Sequence, residues 1–281
     1  MSTTALVLAS TGTTGSATVR ALLAAGATVR AATRDPSRAP AGAVPTAFDW
    51  DDRSTWGPAL TGADALYLVN PAYRADEVEL ANALVDAARD AGVRRVVKLS
   101  AMGVEHAPES SHRQVELHIE ASGLQWVHLR PTFFMDNFVN FYGGPIRSEG
   151  AIYLPAGKGR TAFIASEDIG AAAAKALLGD VSGEAWTLTG AELLDHDQVA
   201  ATLADALGRP VQYVDVPSDG FAAGAREAGM PELAVDVLVS LYGAVKSDVF
   251  AHTDPRLQQV LGRPPVRFAD WSVANADAWR A

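Results

Sequence analysis

The segment ALVLASTGTTG, residues 5–15, decides the fold of this chain. Its first part, Ala5–Ala9, is apolar and as long as a strand, and the glycine-rich remainder leads into a helical pattern over Thr14–Ala25. A second strand-like run follows at Thr28–Thr33. A strand, a glycine-rich turn, a helix and a second strand in this order predict a parallel sheet whose strands are joined by crossover helices.

The same alternation continues through the first half of the chain. A third strand is predicted to end at Ala47–Phe48, further strands to cover Ala65–Val69, Arg95–Ser100 and Trp126–Arg130, and helices to cover Glu77–Ala91 and Ser111–Ala121. Strands separated by helical patterns are typical of βαβ units. We therefore predict an α/β fold with a Rossmann-type, doubly wound parallel sheet.

The pattern changes in the second half, where glycines and prolines become frequent and most of the remainder is helical. Only short strands are predicted there, at Ala185–Thr189 and Val211–Val214. We expect residues 1–142 to form the sheet domain and residues 143–281 to form a smaller, mainly helical C-terminal lobe that binds the substrate. The helical segment 163–180 is expected to pack back on the sheet domain.

The composition excludes several classes of function. The chain has 23 Lys and Arg against 33 Asp and Glu, a net charge of −10, which argues against nucleic-acid and anionic membrane partners. It has no cysteine, so thiolate and disulfide chemistry is excluded and any redox chemistry requires a cofactor. No apolar stretch reaches the roughly 20 residues of a membrane helix, and Met1–Thr4 carries no basic signal-peptide region. We expect a cytoplasmic protein.

The histidines give no sign of a metal site. His106 falls in a predicted loop, His118 and His128 are isolated, and His196 begins a helical pattern. No pair of them has the spacing or the carboxylate neighbours that metal sites require. We therefore expect no bound metal.

The turn after the first strand has the pattern AxxGxxG, in which Gly12 and Gly15 occupy glycine positions and Ala9 replaces the usual first glycine. Such a turn lets backbone amides approach a pyrophosphate at the positive end of a helix dipole. Ala9 is compatible with the turn if its φ stays negative. The alternative interpretation is a tight turn that binds no ligand.

Two charged positions follow the second and third strands. Arg34 precedes Asp35, and an arginine at this place pairs with a 2′-phosphate, which favours NADP over NAD. A local ion pair between Arg34 and Asp35 is the alternative. Asp49, just past the third strand, is placed to meet the adenine rim, or is a solvated loop acid.

Several longer segments carry a family resemblance. They are Leu8–Gly15, Thr33–Pro36, Phe48–Trp50 with Asp52–Trp56, Lys98–Ser100, His112–Glu116 with Ser122–Gly123, Leu129–Phe138, Leu261–Pro265 and Phe268–Asp270. With these segments the chain resembles the NmrA-like atypical short-chain dehydrogenase/reductase family over nearly its whole length. That family includes NADPH-dependent quinone and azo-dye reductases and nucleotide-sensing regulators.

The resemblance implies roles for residues at the carboxyl ends of the strands. The pyrophosphate would lie on Ser10, Thr11, Gly12, Thr13, Thr14 and Gly15. Arg34 would bind the 2′-phosphate, Asn70 and Pro71 would meet the ribose and nicotinamide, and Lys98 and Ser100 would lie near the reacting ring. The turn from Pro131 to Asn137 would close the pocket.

The expected proton donor is His112, with Lys98 and Ser100 as the other catalytic candidates. Ketone-reducing members of the wider superfamily use a Tyr-xxx-Lys pair, but here the helix after the fifth strand offers His112 and Glu116 instead. A histidine has an unperturbed pKa of about 6.5, which suits donation of the proton that balances hydride transfer. The alternative is a polar helix residue whose ring bonds a loop carbonyl. The matching spacing of Tyr242 and Lys246 is interpreted as coincidence.

An aromatic-rich stretch follows the sixth strand and suits a flat, conjugated acceptor, although core packing is an alternative reason for these side chains. The predicted substrate-binding residues are Tyr73, Met102, Phe133, Phe134 and Asn137. The leading function is an NADPH-dependent oxidoreductase, monomeric or homodimeric, that reduces a quinone-like or azo compound. The alternatives are a catalytically weak NAD(P)-sensing regulator and a specialised-metabolism enzyme with non-redox chemistry.

Overall fold

A seven-stranded parallel sheet forms the centre of the fold in a computed structural model that describes residues 3–280. Its strands are β1 (Thr4–Val7), β2 (Thr28–Thr33), β3 (Val44–Ala47), β4 (Ala65–Leu68), β5 (Arg95–Leu99), β6 (Gln125–Pro131) and β8 (Glu184–Leu188). The spatial order is β3-β2-β1-β4-β5-β6-β8, and every neighbouring pair is parallel. The predicted Rossmann-type sheet is confirmed. The order reverses between β1 and β4, where ligands of such folds bind.

Helices connect the strands and form most of the remainder of the chain. They are α1 (Thr13–Ala24), α2 (Trp56–Leu60), α3 (Glu77–Asp90), α4 (Ser111–Ala121), α5 (Asn137–Asn140), α6 (Gly143–Glu149), α7 (Ser166–Leu178), α8 (His196–Leu207), α9 (Ser218–Glu227), α10 (Glu232–Lys246), α11 (Arg256–Leu261) and α12 (Phe268–Ala274). Short 3₁₀ turns cover Pro36–Arg38, Arg53–Thr55, Val104–His106 and Ala276–Trp279. Within residues 3–280, none of these helices has the length and apolar character that crossing a membrane demands.

The chain divides into two compact units. The first comprises the chain up to Pro131, Ser166–Leu188 and Arg256–Arg263, and the second comprises the remaining segments, Thr132–Ala165, Thr189–Pro255 and the chain from Pro264. The predicted boundary at residue 142 and the substrate-binding role of the C-terminal lobe stay predictions.

The first unit has its core on both faces of the sheet. On one face, leucines of β1 and β4 pack with apolar residues of α2, α3 and α4, and all of these are buried. On the other face α7 packs against α1 so closely that a Cβ at Gly170 would lie 2.7 Å from the Cβ of Ala17. Strands covered on both faces bury side chains of both faces, which is why Ala5–Val7 of β1 and Ala65–Leu68 of β4 are continuous, buried apolar runs.

The second unit has an aromatic core around Phe138, Phe163 and Tyr242, and its strands β7 (Ala151–Leu154) and β9 (Gln212–Asp215) form a parallel pair. The Tyr242 hydroxyl is hydrogen-bonded to that of Tyr142, and burial raises the pKa of Tyr242 well above its usual range. A Tyr-Lys pair that transfers a proton needs a lowered phenol pKa. The structure therefore agrees with the interpretation of its spacing to Lys246 as coincidence.

Candidate functional site

The turn between β1 and α1 forms a narrow backbone cradle. The Gly12 amide donates to the Ala9 carbonyl at 2.8 Å, and a Cβ at Gly15 would lie 2.0 Å from the same oxygen. Only glycine fits at position 15. The first turn of α1 contains no acidic residue, so its amides and the helix dipole can bind an anion without a competing carboxylate.

Ala9 adopts a φ of +49°, in the left-handed region. The expectation of a negative φ is therefore wrong. The reason is local: Ala9 must direct its carbonyl toward the Gly12 amide while β1 bends into α1. A residue with a Cβ loses about 1–2 kcal/mol in this conformation relative to the right-handed one, and strained residues of this kind cluster at binding sites.

The polar residues of the turn differ in what they offer a ligand. Ser10 is fully buried, and its hydroxyl donates to the Ala32 carbonyl at 2.8 Å, which ties the turn to β2. Thr11 and Gly12 are exposed, Thr13 is half-buried, and Thr14 is buried. The hydroxyl of Ser10 is thus committed to the protein, whereas Thr11 and Thr13 present their surfaces to solvent.

Arg34 is exposed directly after β2. Within residues 3–280 its guanidinium forms neither a hydrogen bond nor an ion pair. The alternative pairing with Asp35 does not form, because the Asp35 carboxylate accepts from the amide and the hydroxyl of Ser37 at 3.0 and 2.6 Å. These bonds also lower the pKa of Asp35. Arg34 is therefore available to an anionic ligand.

Asp49 is used locally. Its carboxylate accepts from the Asp51 amide at 3.0 Å, and its carbonyl accepts from the indole of Trp56 at 2.8 Å. These bonds shape the loop after β3. The predicted contact of Asp49 with an adenine stays a prediction.

Asn70 follows β4 and is only 6% exposed. Its Nδ2 donates to Oε1 of Glu77 at 2.8 Å, and the Ser111 hydroxyl donates to the same oxygen at 3.0 Å. The Oδ1 of Asn70 has no partner among residues 3–280. A buried acceptor without a partner destabilises a fold by about 1–3 kcal/mol, so this oxygen suits a donor on a bound molecule. Pro71, the next residue, is half-buried.

Lys98 is fully buried at the end of β5, and its ammonium lies beside His112 of α4. The Nζ donates to the Leu99 carbonyl and to Nδ1 of His112, each at 2.9 Å. Burial lowers the pKa of Lys98 to about 7, although the charges of Glu116 and Glu77 oppose the shift. Lys98 therefore titrates near neutral pH.

His112 is neutral in this arrangement. Burial, followed by the Lys98 charge, lowers its pKa to about 3. With Nδ1 as acceptor, the proton of the neutral ring is on Nε2, which forms no hydrogen bond with any residue from 3 to 280. The expectation that His112 titrates near 6.5 is wrong, because burial and the Lys98 charge lower its pKa. The sequence did not show that a buried lysine lies next to this histidine. The alternative, a bond from the His112 ring to a loop carbonyl, is not observed in the described part of the chain.

Glu116 lies one turn after His112 and fixes α4 on β6. Its carboxylate is fully buried and accepts from Nε and Nη2 of Arg130 at 3.0 and 2.7 Å, and from Arg113 at 2.9 Å. Burial alone would raise the pKa of Glu116, but Arg130 and its neighbours hold it at about 2. Such forked pairs are geometrically rigid, so the Glu116–Arg130 pair sets the position of the helix that carries His112.

Ser100 continues the pairing of β5 with β6, since its amide donates to the Leu129 carbonyl at 2.7 Å. Its hydroxyl is buried and has no hydrogen-bond partner of good geometry within residues 3–280. Met102 is half-buried, and its amide donates to the carbonyl of Pro131 at 3.1 Å. Lys98, Ser100, Met102 and Pro131 thus lie along one end of two neighbouring strands.

His128 has carboxylate neighbours that its sequence position did not suggest. Its Nε2 lies 3.4 Å from Oε1 of Glu120, and the candidate ligand atoms of Glu116, Glu120 and His128 all lie within 4.8 Å of one another. The expectation of an isolated His128 is wrong, because α4 packs on β6. Arg113 binds both carboxylates, at 2.9 and 2.6 Å, so this cluster is an ion-pair network and we assign no metal to it.

The predicted substrate residues fall in both units. In the first unit, Tyr73 is 45% exposed and has a φ of +62°. In the second unit, Phe133 packs on the rings of Tyr242 and Phe250, Phe134 pairs with Ile164, and Asn137 begins α5. Core packing accounts for Phe138, whereas Phe141 is exposed. The joint role of these residues in substrate binding stays a prediction.

The site contains functional candidates that the sequence analysis missed, namely Glu77, Ser111, Arg113 and Arg130. Glu77 and Ser111 were assigned only as helix starts, and Arg130 only as a strand end. Their importance comes from contacts between elements far apart in sequence.

Comparison with known proteins gives consistent matches. The NmrA-like family model matches residues 1–252. An NAD(P)H azoreductase from Xenophilus azovorans is 33% identical over 287 residues, covering 98% of this chain and 99% of that protein. An uncharacterized oxidoreductase from Bacillus subtilis (strain 168) is 30% identical over 279 residues, covering 98% and 96%.

Solved structures share the fold. An NADPH-dependent quinone oxidoreductase from Escherichia coli, complexed with NADPH, superposes with a TM-score of 0.84 at 22% identity and covers 96% of this chain and 99% of its own. Triphenylmethane reductase from Citrobacter sp., complexed with NADP(H), has a TM-score of 0.84 at 21% identity, with 98% and 100% coverage.

Proposed function

The chain belongs to the NmrA-like family, and from that premise we propose that it is an NADPH-dependent reductase of a flat, conjugated acceptor such as a quinone or an azo compound. Several of the curated relatives are named as a reductase, an oxidoreductase or a dehydrogenase, which agrees with the expected enzyme class. The observation that carries the proposal is the hydrogen bond between buried Lys98 and half-buried His112, which lie in the same unit as the glycine cradle.

Residues of the first unit would hold the nicotinamide cofactor. The amides at the start of α1 would bind the pyrophosphate, and the cradle is narrow enough at Gly15 to exclude any side chain there. Arg34 would pair with the 2′-phosphate, which favours NADPH over NADH. The unpartnered Oδ1 of Asn70 offers an acceptor for a hydroxyl or amide of the ligand.

When bound, the reduced nicotinamide supplies a hydride to the acceptor. The reduced acceptor then needs one proton on its oxygen or nitrogen. Nε2 of His112 donates that proton, and the Lys98 ammonium replaces it at Nδ1. After the product leaves, water protonates Nε2 and Nδ1 returns its proton to the buried Lys98 amine, which restores the starting state. With a pKa of about 7, Lys98 is present in both its protonated and its neutral form at neutral pH, which suits a group that gives up and regains a proton.

The geometry favours easily reduced acceptors over alcohols. Alcohol oxidation needs a strong proton acceptor, such as a phenolate stabilised by a lysine. His112 has a pKa of about 3 and is a weak base, but its neutral Nε2–H is an adequate donor to an anion that forms during reduction. Quinones and azo groups yield such anions after hydride transfer.

The test is to mix the purified protein with NADPH and a panel of quinones and azo dyes and to follow nicotinamide absorbance. We expect one NADPH consumed for each quinone reduced and one for each azo bond reduced to the hydrazo level, slower turnover when the transferred hydrogen is deuterium, and weaker activity with NADH. Tight NADPH binding without turnover would instead assign a sensing role. Absence of binding would assign non-redox chemistry.

A further inference from the structure

Glu77 joins three elements of the site. It is the first residue of α3 and is only 7% exposed. A single oxygen, Oε1, accepts from Asn70 after β4 and from Ser111 at the start of α4. His112 is the next residue of α4. Glu77 therefore connects the loop expected to meet the nucleotide with the helix that carries the proton donor.

We propose that Glu77 is a positioning residue of the reductase site, which fixes the Asn70 amide with Oδ1 available to the bound nucleotide and holds the start of α4 so that His112 meets Lys98. The proposal rests on the proposed function. It assigns to Glu77 a role that acts through other residues and requires no contact with substrate.

The chemistry of a carboxylate fixes the orientation of the amide. The Oε1 of Glu77 accepts hydrogen bonds from both Asn70 and Ser111, so the group of Asn70 that faces it is the donor, Nδ2. The 2.8 Å contact then leaves Oδ1 as the group that is buried without a partner. A glutamine at position 77 has the same shape but can both donate and accept, so it would permit either orientation of Asn70.

Glu77 also acts on the charge of Lys98. The groups that influence this ammonium are Glu77 from α3, Glu116 from α4 and Arg130 from β6, with neutral His112 hydrogen-bonded to it. The two carboxylates raise the pKa of Lys98 and Arg130 lowers it. Neutralising Glu77 removes one of the two stabilising charges, so the pKa of Lys98 falls further.

A purely structural role of Glu77, stabilising the start of α3, has to be distinguished from the positioning role. An acidic residue in the first turn of a helix interacts favourably with the helix dipole. Glu79 lies in the same turn of α3, but its side chain is 76% exposed and, among residues 3–280, forms an ion pair only with Arg53. Glu79→Gln is therefore a matched control for loss of charge at the start of α3.

The experiment compares Glu77→Gln, Glu77→Ala, Ser111→Ala and Glu79→Gln with the wild type. NADPH affinity is measured by the change in tryptophan fluorescence, and kcat and KM are measured across pH with a quinone acceptor. We expect Glu77→Gln to shift the alkaline limb of kcat to lower pH, and Glu77→Ala to weaken NADPH binding about tenfold as well. Ser111→Ala should lower kcat without changing NADPH affinity, and Glu79→Gln should match the wild type.

The outcomes separate the two proposals. If the wild type binds and oxidises NADPH while the Glu77 variants keep both its affinity and its pH profile, the role of Glu77 is overturned and the reductase stands. Failure of the wild type itself to bind NADPH overturns both. Melting curves identify any variant that does not fold, and Glu77→Gln and Ser111→Ala, which keep or nearly keep the side-chain volume, decide the question if Glu77→Ala is unstable.

Discussion

Lys98 donates a 2.9 Å hydrogen bond to Nδ1 of His112 inside the first unit, so the charge of Lys98 acts directly on the histidine ring. The lysine titrates near pH 7 and the histidine near pH 3, so the proton lost around neutrality belongs to the lysine. Groups that interact this closely have to be tested as a pair.

The pH dependence of turnover should follow Lys98. We predict that kcat falls as the pH rises through about 7, because the ammonium that reprotonates His112 is lost. Lys98→Met should remove this limb and lower kcat at every pH. A wild-type profile that stays flat through neutrality would contradict the relay.

The lowered pKa of Lys98 should also make the stability of the fold depend on pH. Its folded pKa of about 7 lies below the unfolded value of about 10.4, so the unfolded chain binds more protons between these values. Relative to Lys98→Met, the wild type should be less stable at and below pH 7 and should gain stability as the pH rises from 7 to about 10. Urea unfolding of both proteins at several pH values measures this difference.

His112→Ala should lower kcat by about 100-fold, the usual contribution of a positioned acid. NADPH affinity should stay unchanged, because no part of the predicted nucleotide cradle involves this ring. His118→Ala is a suitable control, since His118 lies on the same helix, where it is paired with Asp86. Equal rates for His112→Ala and the wild type would assign proton donation to another group.

The sheet was predictable from the sequence, whereas the chemistry of the site was only partly so. Apolar strands and helical periods are local signals, and they predicted a helical segment over 163–180, within which the structure has α7 (Ser166–Leu178). The pKa of Lys98 and the neutral state of His112 depend on the packing of α4 against β5 and β6. Glu77, Arg130 and the neighbours of His128 depend on contacts between residues 7 to 34 positions apart. No local pattern carries that information.

Arg34→Ala should weaken NADPH binding by about 10- to 100-fold, the effect of losing charge-assisted bonds to a phosphate. NADH binding should hardly change, because NADH has no 2′-phosphate. Arg20, an exposed arginine of α1, provides the control substitution Arg20→Ala. Equal losses of affinity for NADPH and for NADH would show that Arg34 does not bind the 2′-phosphate.

Substitutions at Ala9 and at Gly15 should change the stability of the fold in opposite directions. Ala9→Gly relieves a left-handed φ of +49° and should stabilise the fold by up to about 1 kcal/mol, after the greater entropy of an unfolded glycine is subtracted. Gly15→Ala should destabilise it strongly, because the added Cβ would lie 2.0 Å from the Ala9 carbonyl. Thermal unfolding without nucleotide measures both effects. A loss of stability in Ala9→Gly would show that the left-handed conformation of Ala9 does not strain the fold.

Arg130→Met should destabilise the protein by about 3–5 kcal/mol, because it removes both bonds of the forked pair and leaves the buried Glu116 carboxylate hydrogen-bonded to Arg113. In the wild type the pKa of Glu116 is about 2, below its unfolded value of about 4.3, so the pair stabilises the fold above pH 4.3 and this stability is lost as the pH falls toward 2. Without Arg130, burial raises the pKa of Glu116, so the loss of stability on acidification should begin at higher pH.

The double variant Glu116→Gln Arg130→Met should recover part of the stability, since it buries no unpaired charge. Urea unfolding of the two single variants and the double variant across pH gives the coupling energy, and a value near zero would show that the pair does not fix α4 on β6.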